Sequence, residues 1–462
     1  MALLAASLMG VPAAAQENAL QADFRGESER AKRDCSGFSF SVVASCADLL
    51  FTDHPLHIAV GSIAPEDGFG FGGALVTHWT PNERWRLSWD ADAVVSTNTS
   101  WRAGVYMKAI YVPPLKISVT PSSPGKKPAG PNLVREYPVF GAYFQTISLD
   151  KLGYFGEGPN TSDTAETFYG MREIIVGGNA IWPVYQPLHI ALFGEVNGRF
   201  VDIRPSTGQD RPTIGQVYTD LTAPGLSNQP GFAQFGEGVR LRPAFFSNHV
   251  QLNYAMTVQE FAASSGGYSF ERFTGDFSHT FPLYRTAANY LPKDANGPDD
   301  CSQGVDQHTC PPVRKGFTKN REGSIGLRLL VAESVVPSGN VVPFYFQPTL
   351  GGADINGNPS LASYADYRFR GPNALLVRAS IEHSLYGPVG ATFMYDEGKV
   401  ALTNGSLNFA HLSHSFSAGL TLRAGGLPFV YLLFAWGGHE GTHTIAEMDP
   451  SLIGGSARPS LF

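Results

Sequence analysis

The sequence predicts an all-β chain, a transmembrane antiparallel β-barrel of about 16 strands, an even number as bacterial single-chain barrels have. Alternation is the first reason. Trp85, Leu87, Trp89, Ala91, Ala93 and Val95 share one parity, and Arg86, Ser88, Asp90 and Asp92 share the other. Successive strand side chains point to opposite faces, so one face is apolar and aromatic while the other is charged. Composition is the second reason: aromatic residues make up 12% and charged residues 16%, against a usual quarter or so for the latter. Mean hydropathy is nevertheless only -0.09, because apolar and polar residues are interleaved. Segment length is the third. The alternating stretches run about ten residues, as a tilted membrane-crossing strand requires, whereas strands of soluble sheets average about 5 or 6.

Organisation follows from these patterns. Residues 1–15 are apolar and Ala-rich and end in Val11-Pro12-Ala13-Ala14-Ala15 before Gln16, which reads as a signal peptide whose positive leading region lies upstream. Residues 16–54 form a short polar periplasmic segment, and residues 55–462 form the barrel. No apolar run of 18 residues occurs, so no membrane helix is expected. Net charge is -7 with no basic stripe, which excludes a nucleic-acid partner from the expectation.

Strands are expected to begin at Phe69, Arg84, Trp101, Tyr137, Glu166, Leu188, Phe232, His249, Ser269, Glu322, Val341, Ala374, Val389, His414, Phe429 and Thr442. Stretches rich in Gly, Pro, Asn, Asp and Ser separate them. Long connections are expected near Val112–Glu136, Asp202–Gly231, Pro282–Arg321 and Gly351–Pro372. All but the second follow odd-numbered strands in this count, which places three of the four at one end of the barrel. Trp79, Trp101, Tyr111, Trp182, Tyr185, Tyr284 and Trp436 sit toward segment ends, where interfacial girdles place aromatic residues. On the polar parity, Arg86, Asp90, Asp92, Glu195, Arg199, Arg240, Arg242, Asp276, Arg328, Arg378, Glu382 and Arg423 are expected to face the lumen, because a charge facing lipid costs roughly 2 to 4 kcal/mol at mid-depth.

Four cysteines fall into two local pairs, Cys35 with Cys46 and Cys301 with Cys310. In an oxidising compartment each pair reads as a disulfide. Neither has the spacing of a zinc knuckle.

Two motifs invite chemistry and do not support it. Gly68 to Gly73 satisfies G-x-G-x-x-G, but Leu75, Thr77 and Trp79 continue one parity, so the segment is a strand with a glycine face and not a nucleotide loop. His439-Glu440-Gly441-Thr442-His443 satisfies H-E-x-x-H, whose two histidines converge on zinc only on a helix. Gly437, Gly438 and Gly441 crowd it, and a turn between the last two strands is the expectation. No G-x-S-x-G elbow occurs. The chain is therefore expected to be no enzyme and to need no cofactor; a barrel-embedded hydrolase stays a remote alternative.

Between Pro348 and Ala401 the sequence contains Leu350-Gly351-Gly352, a loop ending in Arg368-Phe369-Arg370-Gly371, a strand bearing Glu382, and Tyr395-Asp396-Glu397-Gly398-Lys399-Val400. In order and spacing this resembles the C-terminal part of the bacterial surface antigen barrel of the BamA/TamA family. The resemblance implies a Gram-negative outer-membrane location and a scaffold or conduit for protein insertion or export. It also implies that the loop after the eleventh strand folds back into the lumen, with an Arg in a Val/Leu-Arg-Gly-Phe/Tyr motif reaching an inward Asp. Here Leu361-Ala362-Ser363-Tyr364 occupies that position without Arg or Gly. Asp396 remains, and Arg368 or Arg370 is expected to replace the missing cation. Gly351, Gly352, Tyr364, Arg368, Arg370, Gly371, Glu382, Asp396 and Gly398 are thus the loop and latch candidates.

The family's POTRA domains have no counterpart in the short stretch before Pro55, so a separate periplasmic partner is expected to supply client handling. Other expected partners are outer-membrane lipids and, through the aromatic Phe462, the barrel assembly machinery during biogenesis. A passive pore for small polar solutes is the alternative role.

Overall fold

The computed structural model describes residues 55–113, 136–206, 210–246, 248–289, 318–386, 389–424 and 427–448, with a few isolated positions before residue 37. The expected signal peptide, Cys46, Cys301, Cys310 and Phe462 lie outside the described residues, so neither cysteine pair is described as a pair.

Strands dominate. In chain order they are β1 Leu56–Ser62, β2 Phe69–Asn82, β3 Trp85–Ser96, β4 Trp101–Tyr111, β5 Val139–Tyr154, β6 Thr167–Tyr185, β7 Ile190–Pro205, β8 Phe232–Leu241, β9 Ala244–Phe245, β10 Val250–Ala263, β11 Phe270–Asn289, β12 Thr318–Val335, β13 Thr349–Leu350, β14 Phe369–Arg370, β15 Asn373–Tyr386, β16 Val389–Ala401, β17 Ser413–Ala424, β18 Leu427–Gly438 and β19 Gly441–Met448. Three of these nineteen, β9, β13 and β14, are two residues long, which leaves sixteen long strands among the described residues. Each long strand pairs antiparallel with the next, from β1 with β2 through to β18 with β19. β13 and β14 pair only with each other, inside the β12–β15 connection. β1 and β19 come within 8 Å of each other between Cα atoms, so the sheet curls until its ends meet. Among the described pairings no ladder joins these two strands.

The register shows the stagger of a barrel directly. A single row of opposed residues starts at Trp79 near one rim and passes through Leu87, Ala109, Phe140, Ala180, Gly194, Glu237, Val258 and Phe273 to Glu333 near the other. A row perpendicular to the strands can climb from rim to rim only if the strands are tilted. The outward face of this wall carries exposed apolar side chains, among them Phe71, Trp89, Val105, Phe144, Val196, Phe235, Leu327, Ile381 and Leu432. Exposed Trp79, Trp182, Tyr185 and Tyr284 stand near one rim. Two outward tyrosines satisfy their hydroxyls on outward histidines, Tyr254 on His279 and Tyr284 on His383. No helix among the described residues is long and apolar enough to cross a membrane.

The count of sixteen agrees with the sequence, but two of its members differ. β1 escapes the sequence pattern because it is only seven residues long and begins directly after Pro55. The strand expected at Val341 does not form. Pro337, Pro343 and Pro348 remove ladder donors there, and Val342, Phe344, Tyr345 and Phe346 are all buried inside the barrel, where a wall strand would bury only alternate residues.

These two shifts also move the loops. The connections 206–231 and 336–372 now share one end, with 63–68, 97–100 and 155–166, while β4 and β11 finish, and β5 and β12 begin, at the opposite end. At the first end the lumen is filled. Tyr154, Tyr169, Phe232, Phe261, Phe270, Phe344, Tyr345 and Phe346 form one buried cluster. Below it the inward parity carries a buried polar network. Arg199 donates to Glu173 at 2.9 Å and to Gln234, Asn197 donates to Gln234 at 3.3 Å, and Gln234 and Gln259 both donate to Glu195, at 2.8 and 2.7 Å. Toward the opposite end the inward side chains of Arg86, Lys108, Gln251 and Asn253 are exposed. Among the described residues, the plug fills the lumen at the first end.

Candidate functional site

The plug is built mainly from the connection between β12 and β15, the eleventh and twelfth long strands. Its first part turns through a single 3-10 turn, Phe344–Phe346, which follows Pro343 and is buried throughout. Two arginines hold this turn from opposite sides. Arg272 of β11 donates to the Phe346 carbonyl at 2.6 Å and lies over the rings of Phe270 and Phe261, at 5.2 and 5.7 Å. Arg370 of β14 donates to the Phe344 carbonyl at 2.8 Å and to the Tyr169 hydroxyl at 3.3 Å. A buried guanidinium is costly unless its N–H groups find acceptors, so each arginine fixes the turn while the turn supplies it with a carbonyl acceptor.

The second part is the β13–β14 hairpin and the residues between. Gly351 and Gly352 have φ of +109° and +56°. A Cβ on Gly351 would lie 2.6 Å from Cβ of Arg368, and one on Gly352 would lie 2.7 Å from Cα of Asp366. Only glycine gives both the backbone angle and the room. Asp354 then closes a turn by accepting the amides of Asn356 and Asn358, at 2.9 and 2.8 Å.

The latch itself joins this loop to the wall. Asp396 on β16 faces Arg378 on β15 in register. The guanidinium donates to both carboxylate oxygens, at 2.6 and 2.8 Å. The same carboxylate accepts the Leu361 amide at 3.0 Å, and Arg378 also donates to the Pro359 carbonyl. Leu361 sits at φ +46°, a strained angle for a side-chain-bearing residue that persists only where contacts hold it. Nearby, the Ser363 amide donates to Ser415 on β17 at 2.9 Å. Tyr364 packs on Phe369 and fills the space above Gly438.

The expectation that Arg368 or Arg370 pairs with Asp396 is therefore corrected. Arg378 takes that place, because the β15–β16 register sets it opposite Asp396 while the loop carries Arg368 and Arg370 away. Arg368 donates to Glu440 at 2.7 Å and to the Thr161 hydroxyl at 2.7 Å, tying the plug to the β18–β19 turn and the β5–β6 connection. Glu440 is thus committed to an arginine, and His439 and His443 belong to a strand hairpin. Among the described residues no cluster of three metal-ligating side chains occurs.

The structure brings together Gly351, Gly352, Tyr364, Arg368, Arg370 and Asp396. Gly371 packs against Val400 and Ala401, and Gly398 lies against Leu375 and Leu350. Glu382 lies elsewhere, opposite Ser324 and Thr392 on the inward face of β15. Sequence reasoning missed the Phe344–Phe346 turn, Arg272 and Glu440 as parts of the closure. The buried aromatic triplet between two prolines was the available signal.

No known family profile matches the sequence, and no curated relative matches it. Solved structures similar to it in fold include BamA from Haemophilus ducreyi lacking POTRA domains 1-3, at 10% identity and TM-score 0.47, covering 91% of this chain and 80% of that one. CdiB from Escherichia coli is similar at 12% identity and TM-score 0.46, covering 86% of this chain and 60% of that one. CdiB from Acinetobacter baumannii is similar at 11% identity and TM-score 0.41, covering 85% and 56%. The chain spans less than two thirds of either CdiB. Its barrel architecture follows from its own strand pairings.

Proposed function

We propose that this chain is a Gram-negative outer-membrane barrel that serves as a non-catalytic scaffold or conduit for inserting or exporting polypeptides, with the β12–β15 connection as its closure. The observation that carries the reading is the latch. Asp396 holds Arg378 and the Leu361 amide at once, so a segment from outside the wall is fastened within it. An outward apolar wall with every interior strand paired is how a sheet survives in hydrocarbon. A plug fastened at a few polar points is suited to opening when those points are released. The Pro348–Ala401 resemblance favours the same role. Lipids and a separate periplasmic partner are the companions this reading calls for.

Vesicles test it. A urea-unfolded outer-membrane barrel is diluted into lipid vesicles with and without the reconstituted protein, and insertion is followed by protease protection. Faster insertion with the protein supports the proposal, and equal rates refute it. Rapid uptake of small sugars by the same vesicles would favour a passive pore instead.

A further inference from the structure

The β1–β2 connection and the plug meet at a crowded carboxylate junction that the latch does not use. A cavity of about 800 Å³ opens there, lined by Ser62, Glu66 and Phe69, by Glu166, by Tyr364 and Asp366 of the plug, and by His443 to Ala446 of β19. It lies where the first strand, the last strand and the inward loop converge.

The contacts across this junction are specific. The Tyr367 hydroxyl of the plug donates to the Pro65 carbonyl at 3.0 Å. Lys151 Nζ of β5 lies 3.4 Å from Glu66, and Arg211 lies 3.3 Å from Glu166. Asp366 accepts the Ala353 amide at 2.8 Å. Asp67 is fully buried; one of its oxygens accepts the Ser100 hydroxyl and the amides of Asp150 and Lys151, both at 3.1 Å, while its other oxygen has no hydrogen-bond partner among the described residues. The carboxyls of Glu66, Asp67, Glu166 and Asp366 are thus gathered beside Lys151 and Arg211, with His443 on the cavity wall.

We propose that this junction is a proton-operated latch: with its carboxyls protonated it holds the inward loop against the β1–β2 connection, and on deprotonation it loosens. The switch is separate from the Asp396 pair and rests only on the reading of the β12–β15 connection as a closure. It can therefore be tested whether or not polypeptides are the cargo.

Burial is the main cause that pushes Glu66 up to about 7, against the pull of Lys151. Burial likewise pushes Asp366 and Asp67 up to about 6 each, against the hydrogen bonds they accept. When the junction is open and hydrated these groups titrate near ordinary carboxylate values, about 4. The closed junction then holds more protons than the open one between about pH 4 and 7. Closure is accordingly favoured at the acid end of that window and weakens as pH rises through it.

Hydrogen exchange of the full chain in lipid nanodiscs provides the test, read at the Ala353, Leu361 and Ser363 amides after correction for intrinsic rates. The opening constant at Ala353 should rise on the order of tenfold or more between pH 5 and 8, since releasing one proton on opening changes that constant about tenfold for each pH unit. Glu66→Gln with Asp366→Asn should flatten that rise. Lys151→Met, which leaves the carboxyls in place, should move the transition to higher pH, because the lysine favours the charged form of Glu66; a move to lower pH would contradict the proposal. A pH-independent opening constant in the unmodified protein would overturn it, as would an unchanged pH response in the double variant.

Discussion

Arg378 and Asp396 face each other across the β15–β16 ladder, and their two-pronged ion pair also anchors a backbone amide of the loop, that of Leu361. The pair is well buried, with side-chain exposures of 13% and 2%. Breaking such a pair by removing one partner leaves the other charge uncompensated and costs roughly 3 to 5 kcal/mol. Asp396→Ala should therefore lower stability by about that amount, and should expose the chain around Arg368 to trypsin. Denaturation in detergent and limited proteolysis read the two effects. Unchanged cleavage would mean that the loop is held without the latch.

The Phe344–Phe346 turn makes a second prediction. Phe344 is buried and meets Tyr154, Tyr169 and Tyr345 edge to face, with centroids 5.1 to 5.5 Å apart. Phe344→Ala should cost about 3 to 5 kcal/mol, as large-to-small changes at packed aromatic positions do. Phe246, exposed at the opposite end of the barrel, supplies the control: Phe246→Ala should change stability little. Equal effects of the two changes, measured by urea unfolding in vesicles, would contradict a packed plug.

Glu237 tests the membrane assignment. It points outward from β8, opposite Gly194 and Val258. Leu192, Val196, Phe235 and Met256 lie exposed around it. A carboxylate in a lipid-facing belt is unfavourable by less than the roughly 2 to 4 kcal/mol of a lysine or arginine. Glu237→Leu should therefore raise stability in bilayers, by on the order of 1 kcal/mol, and lower solubility without lipid. A loss of stability in bilayers would place this face in water or against a polar partner.

The parts of this architecture that are legible in sequence are those set by local period. Trp85 to Val95 alternates because one face meets an apolar surround and the other carries Asp90 and Asp92, buried inside the barrel. Period alone does not say which apolar environment a residue meets, so Val342, Phe344 and Phe346 read as a strand although they fill the lumen. β1 is too short to show its period clearly. Asp396 and the glycine pair Gly351 and Gly352 are recognisable as loop features. The partner of Asp396 is not, because the choice of Arg378 over Arg368 or Arg370 depends on a register between strands, which no local pattern encodes. Glu440 draws attention through the wrong chemistry: its motif suggests zinc, whereas its carboxylate binds Arg368 of the plug.

Single-channel recording in planar bilayers tests the closure most directly, comparing the intact chain with a variant lacking residues 354–370. The closed arrangement predicts that the intact protein is silent for most of the record and that the deletion opens steady channels. Steady conductance of the intact protein, unchanged by the deletion, would contradict it.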